Sequence, residues 1–382
     1  MPRRRQSYPI GRDKLHNNGI ITYSNQSRRL AIGSRPPETS GFSLRRRFLS
    51  APTLVSFGVA VAVLAFLATR FSVDMGATWQ TVRHTNPWLY GLAFLVHYTT
   101  FLFRGARWRM LLRNTDATGS ESLPSLVVSS RLILMGWFAS SITWFRLGDA
   151  YRAYAYCKVS GASVARSMGT VVAERVMDVL LVFLLLLAGF LLLYLDPEMR
   201  PPGVFLAVGL GLALASGLFL LAMQLFHRSV TRLLPQRIQR SYRGFYEGTM
   251  RSFRSLPPVM LMGLLGWLAE VGRLYFVVRA TGLEVGVALV VFVTLANALL
   301  SAVPLSPGGL GIVEAGIVGL LMWVLPREEA VSVALLDRSI SYLSVVLLGG
   351  AAFVYHQRVV ARRSKGVILS GQQPTRPGEA AP

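Results

Sequence analysis

Lysine is almost missing from this chain of 382 residues, occurring only at Lys14, Lys158 and Lys365. Acidic residues are scarce as well, 18 against 40 basic ones, so the net charge of +22 is nearly all arginine. Cys157 stands alone, which excludes an intrachain disulfide and a cysteine-based metal site. No glycine-rich nucleotide loop, metal-spaced His/Glu set or nucleophile–base pair occurs, so no metal, cofactor or enzymatic step is expected. Charge of either sign is thin too. It amounts to 15% of residues, where a soluble domain carries about 25%.

What is there instead is long apolar runs. Hydrophobic residues make up 52%, and the charges are gathered in blocks between runs that approach or exceed the roughly 18 residues needed to cross a bilayer as a helix. The clearest runs are Val179 to Leu195 and Gly203 to Phe226. In a soluble protein so basic a sequence would point to nucleic acid. Between apolar runs it marks cytoplasmic loops under the positive-inside rule, and no nucleic-acid partner is expected.

The pattern predicts an all-α, polytopic membrane helix bundle. Six full spans are expected at about 50–70, 88–111, 168–195, 203–226, 257–280 and 330–356. Residues 1–44 read as a disordered basic cytoplasmic tail, 45–357 as the membrane domain and 358–382 as a second cytoplasmic tail. Loop 227–256 holds Arg228, Arg232, Arg237, Arg240, Arg243, Arg251 and Arg254 against Glu247, the strongest inside signal in the chain. With both termini inside, two further apolar stretches, 122–145 and 286–325, cannot cross without placing basic loops outside. The first, taken as 122–166, is expected to be re-entrant from the cytoplasmic side, and the second from the outside. The second is broken by Pro304, Pro307, Gly308, Gly309 and Gly311, which cannot continue a helix; such backbone survives at membrane depth only inside protein or beside a wet cavity.

Each half then reads span, span, re-entrant segment, span, with repeat one at about 50–195 and repeat two at about 203–356. The halves are inverted relative to each other, the layout of many secondary transporters. The letters repeat as well. Leu147-Gly148 precedes Glu174-Arg175, and Leu310-Gly311 precedes Asp337-Arg338, at a constant offset.

Charged side chains within apolar segments are expensive, so they face a wet interior or one another. The candidates for ligand binding are Arg104 and Arg107 on the second span, Arg146, Asp149 and Arg152 at the first re-entrant turn, and Glu174, Arg175 and Asp178 on the span that follows. The second half supplies Glu270 and Arg273, Glu314 after the Pro-Gly break, and Asp337 and Arg338. A guanidinium fork binds phosphate bidentately, so several around one cavity suit a lipid phosphate. The same acid–arginine sets could equally hold helices in register. His97 reads as a packed helix residue. Trp88, Trp108, Trp137, Trp144 and Trp323 read as interfacial belt residues.

Two stretches resemble a known family. Phe145-Arg-Leu-Gly-Asp-Ala-Tyr-Arg152 with Glu174-Arg175-Val-Met-Asp178, and Pro307-Gly-Gly-Leu-Gly-Ile-Val-Glu314 with Asp337-Arg338 and Tyr342, are similar to the signatures of the flippase-like lysylphosphatidylglycerol synthase transmembrane region. Thr143-Trp144 stands where that family usually has a proline. The resemblance covers about 50–357 and does not extend to a soluble aminoacyl-transferase domain, so it does not imply lysyl transfer. It implies an inner-membrane protein that moves or presents an anionic phospholipid or lipid-linked glycan headgroup, with envelope-biosynthesis enzymes as possible partners. Three other readings stay open. One is a proton-coupled transporter of a small solute, with Glu174 or Asp337 carrying the proton. Another is a glycosyltransferase, for which loop 71–86 offers only Asp74. The last is a non-transporting scaffold.

Overall fold

The computed structural model describes residues 75–116, 123–143, 147–195, 199, 201–302 and 307–370. The expected tail 1–44 and the expected span 50–70 lie outside them, as do Arg146, Trp144 and Pro304. Among the described residues every regular element is helical.

A short helix α1 (Met75–Arg83) leads into α2 (Pro87–Thr115). Asn86 caps α2 by accepting from the backbone N–H groups of Trp88 and Leu89, with Pro87 in the first turn where no N–H is needed. Next come α3 (Leu126–Ile142), α4 (Gly148–Ser160) and α5 (Val164–Tyr194). Gly161, at φ 72°, ends α4 in the left-handed conformation that glycine tolerates, and Ser163 starts α5 at once by capping Arg166. The second part holds α6 (Val204–Leu233), α7 (Gln236–Arg251), a 3-10 turn (Ser252–Ser255), α8 (Leu256–Ala280), α9 (Val287–Ala302), a second 3-10 turn (Pro307–Gly309), α10 (Ile312–Leu321) and α11 (Arg327–Arg338). A π-helical segment (Ser339–Ser344) joins α11 to α12 (Val345–Ser370).

Four helical stretches are long and apolar enough to cross a membrane: Val164–Tyr194, Val204–Leu233, Gln236–Ala280 and Arg327–Arg358. They coincide with four of the expected spans. A fifth, 88–111, lies within α2, which at 29 residues is about 43 Å long. Its length suffices, but Arg104, Arg107, Arg109 and Arg113 make its second half polar.

The two stretches expected to be re-entrant are pairs of shorter helices. The first pair is α3 with 17 residues and α4 with 13. The second is α9 with 16 and α10 with 10. At 1.5 Å per residue none exceeds about 26 Å, short of the roughly 30 Å hydrocarbon core. Each pair packs on itself. A Cβ on Gly148 would overlap the Gly136 carbonyl oxygen, so α3 and α4 meet backbone to backbone. Gly316 on α10 likewise admits Asn297 and Leu300 of α9.

The main core joins α2, α5, α8, α9, α10 and α11 through Ala93, Leu186, Leu274, Phe292, Leu295, Leu321 and Val333. Glycines again set the closest approaches. Gly263 and Gly266 on α8 leave room for the side chains of Arg107 and Arg104 on α2. α6 is different: only Gly209, Met223 and Thr231 on it are buried. Leu214, Leu218, Leu221 and Leu225 face outward, a surface that suits acyl chains and not water.

Candidate functional site

The charged residues of the two halves meet around one cavity of about 220 Å³. Its wall includes Arg104, Asp149, Arg175, Glu270, Arg273, Asp337 and Arg338, with Trp137, Trp267, Asn297 and Tyr342. The ends of both short-helix pairs reach it. Ser140, Ser141 and Thr143 arrive from α3, and Gly308 and Gly309 from the Pro-Gly-Gly turn. The Tyr342 hydroxyl donates to the Ser141 carbonyl at 3.3 Å, tying the π-helical segment to the end of α3.

Each half uses its acid–arginine dyad in the same way. In the first, Glu174 is 1% exposed and accepts from Arg107 at 3.0 Å and from Arg152 at 2.9 Å. Its neighbour Arg175 turns to Asp149, at the start of α4, through a fork of 2.8 and 2.9 Å. In the second half, Asp337 is also 1% exposed and accepts from Arg273 at 2.8 Å. Its neighbour Arg338 turns to Glu314, at the start of α10, at 2.6 Å. The acid of each dyad is therefore held by an arginine of an earlier helix, α2 or α8. The arginine of each dyad grips the acid at the start of its own short helix.

Glu314 and Arg338 also fix the Pro-Gly-Gly turn. Glu314 accepts from the Gly311 N–H at 2.6 Å, satisfying a free donor at the α10 N-terminus, and Arg338 donates to the Gly308 carbonyl at 2.9 Å. Gly308, Gly309 and Gly311 have φ of 61°, 72° and 84°, the left-handed region that a side chain disfavours.

The arginines differ in what they have left to offer. Arg107 and Arg152 are buried and bound to carboxylates, and neither lines the cavity. Arg152, expected to receive a ligand, instead braces Glu174, with Asp149 at 3.4 Å and its guanidinium over the Trp108 ring. Asp178 is an interior hub. It accepts from Arg107 at 2.7 Å and from the Trp267 indole at 3.3 Å, and faces Arg175 at 3.3 Å.

Arg104 stands apart. It is 4% exposed and lines the cavity, with its guanidinium carbon 5.3 Å from the Trp137 ring and 5.0 Å from the Trp267 ring. Its paired carboxylate, Asp178, is 3.5 Å away, farther than either carboxylate held by Arg107. Two indole faces hold the cation in place without using its N–H groups.

Sequence reasoning found the arginines but misread two tryptophans. Trp137 lines the cavity, and Trp108 is fully buried with its indole N–H on Thr170; neither is an interfacial belt residue. Trp88 and Trp323 do stand at the surface. Asn297 was not anticipated at all. Its signal was a lone amide within the apolar run of α9.

Residues 53–349 match the family described as Lysylphosphatidylglycerol synthase TM region. The chain belongs to this family. Its relatives include a UPF0104 membrane protein of Methanocaldococcus jannaschii, 30% identical over 60% of this chain and 98% of the relative. Another, from Methanothermobacter thermautotrophicus, is 26% identical over 76% of this chain and 90% of the relative. A third, from Pyrococcus horikoshii, is 25% identical over 72% and 88%. The family and the apolar helices together make the chain a multi-pass membrane protein.

Proposed function

We propose that this protein binds the phosphate-bearing headgroup of an anionic lipid within the membrane and carries it across. The observation that carries the reading is Arg104. It is a buried guanidinium clamped between two indoles at the wall of a polar cavity, without a hydrogen-bonded carboxylate of its own. Arg175, Arg273 and Arg338 stand around the same space. A desolvated guanidinium favours an anion that can accept two N–H groups, and phosphate does so bidentately. On this reading the cavity of about 220 Å³ takes the headgroup while the acyl chains stay in the bilayer.

The two short-helix pairs act as re-entrant hairpins whose tips close the cavity between two inverted repeats. The matched pairing of Glu174 with Arg107 and Asp337 with Arg273, and of Arg175 with Asp149 and Arg338 with Glu314, supports that symmetry. Both termini lie on the cytoplasmic side of the plasma membrane. The headgroup enters past Asp149 and Arg175, whose side chains are the most open of the charged network at 22% and 34%. Rocking of the repeats then presents the site to the other leaflet. The chain does no covalent chemistry in this scheme.

The test uses purified protein in phosphatidylcholine vesicles with a trace of phosphatidylglycerol labelled on its acyl chain. A membrane-impermeant reductant bleaches probe in the outer leaflet. The full chain should expose the inner-leaflet probe to bleaching, and Arg104→Gln should slow this at least tenfold. Equal rates with and without protein would refute the proposal.

A further inference from the structure

Among the described residues the charges of this paired network balance as a whole but not locally. On the first-half side, Arg104, Arg107, Arg152 and Arg175 face three carboxylates, Asp149, Glu174 and Asp178. One positive charge is left over, and the geometry gives it to Arg104. On the second-half side, Arg273 is shared between two carboxylates, Glu270 and Asp337. One negative charge is left over there. Arg338 and Glu314 cancel. Arg104 and Glu270 line the same cavity, and each lies within the other's electrostatic influence.

The leftover negative charge has an unusual seat. Glu270 is 6% exposed; its Oε2 is bound to Arg273, while its Oε1 has no hydrogen-bond partner. That oxygen lies 3.6 Å from Nδ1 of His97, a fully buried residue of α2. The same Nδ1 is 3.4 Å from Arg273 Nη1. Arg273 can only donate and a carboxylate Oε1 can only accept, while Nδ1 carries either one lone pair or one hydrogen, so it can serve only one of these two neighbours at a time. The His97 Nε2 has no partner either. Tyr98, Phe101 and Trp137 surround the imidazole. The other groups that bear on the couple are Arg104 and Thr100 from α2, Arg273 from α8 itself and Asp337 from α11. Thr294 and Asn297 of α9 add only neutral polar groups to the wall.

We propose that His97 and Glu270 form a proton-binding site that loads one proton when an anionic headgroup occupies Arg104, so that headgroup and proton cross together. With the cavity empty, Arg104 and Glu270 offset each other's charge. A phosphate on Arg104 takes that compensation away and leaves a buried carboxylate exposed to a second anion. A proton on Oε1, or on Nδ1 with a hydrogen bond to Oε1, restores neutrality at once. Crossing as a neutral whole avoids moving net charge through a low-dielectric interior. Glu174, a natural candidate for the proton carrier, is unsuited: two arginines saturate it away from the cavity.

The inference rests on the lipid reading, and two measurements separate them. Dicyclohexylcarbodiimide is apolar and adds only to protonated carboxyls. In the purified full chain, peptide mass spectrometry should find its adduct on Glu270, rising several-fold from alkaline to mildly acidic pH. At fixed pH the adduct should rise when phosphatidylglycerol replaces phosphatidylcholine in the micelles. Glu174 and Asp178 should stay unmodified, and Glu270→Gln should remove the adduct. The second measurement imposes a pH gradient on the vesicles described above, which should shift the labelled phosphatidylglycerol toward the alkaline leaflet. A probe that equilibrates yet ignores the gradient, with Glu270 unmodified at every pH, overturns the proton site and leaves lipid transport standing. Modification of Glu270 as described with no probe crossing does the reverse.

Discussion

Glu174→Gln is the sharpest probe of the interior. The carboxylate is 1% exposed and accepts from two guanidiniums, Arg107 and Arg152, which are themselves buried. Glutamine keeps the shape and one acceptor but removes the charge. It also turns an amide N–H₂ toward a donor. Arg107 keeps Asp178 at 2.7 Å, but Arg152 is left with Asp149 at 3.4 Å. Removing one partner of a buried ion pair costs about 3–5 kcal/mol, because the remaining charge is stranded without water. Unfolding entropy of about 2 cal/mol/K per residue over roughly 300 ordered residues gives about 0.6 kcal/mol/K, on the scale of soluble proteins. The midpoint of thermal unfolding in detergent, read by size-exclusion survival or tryptophan fluorescence, should therefore fall by about 5–8 °C. Arg175→Gln is the control. Its side chain is 34% exposed, water can replace the lost bonds, and the midpoint should move by only about 2 °C. If Glu174→Gln melted with the wild type while Arg175→Gln was the more damaged, the dry, doubly paired placement of Glu174 would be wrong.

Arg104→Lys should keep the fold, since the charge survives, but lose the planar fork that sits between Trp137 and Trp267. The lost charge-assisted bonds, about 1.5–3 kcal/mol, should weaken retention of phosphatidylglycerol by roughly 10- to 100-fold in a lipid-binding assay, with the melting midpoint little changed. Trp267→Phe should keep the ring face but lose the 3.3 Å bond to Asp178; a stability loss of about 1 kcal/mol is expected, seen as a small fall in the same midpoint. Gly148→Ala should spread α3 from α4 by driving a methyl group into the Gly136 carbonyl. Overpacking of this kind costs about 1–3 kcal/mol or more, and it should abolish probe movement if the hairpin tips shape the cavity. Gly308→Ala should act at the other tip, where φ is 61° and a Cβ would meet the Tyr342 ring; crossing should slow, and a wild-type rate would exclude any need for that turn.

The sequence by itself determined the membrane class, most of the long helices and the roster of charged residues. These follow from local physics. Apolar length sets a span, and Pro307-Gly308-Gly309 breaks a helix wherever it lies. The family was legible for the same reason, because its motifs are short runs around Asp149, Glu174, Glu314 and Asp337. Even the four matched dyad positions could be counted on a line of letters. What a line of letters could not hold is how each guanidinium spends its N–H groups. Arg104 and Arg107 are three residues apart on one helix, yet Arg107 is hydrogen-bonded to Glu174 and Asp178 while Arg104 faces a cavity between two indoles. That difference depends on which side of α2 meets α5 and which meets α8, with Gly263 and Gly266 admitting the side chains. His97 beside Glu270 is the same kind of fact, a contact between residues far apart in the chain. Only tertiary packing decides such pairings, because ion pairing in a dry interior is a property of three-dimensional neighbours and not of spacing along the backbone.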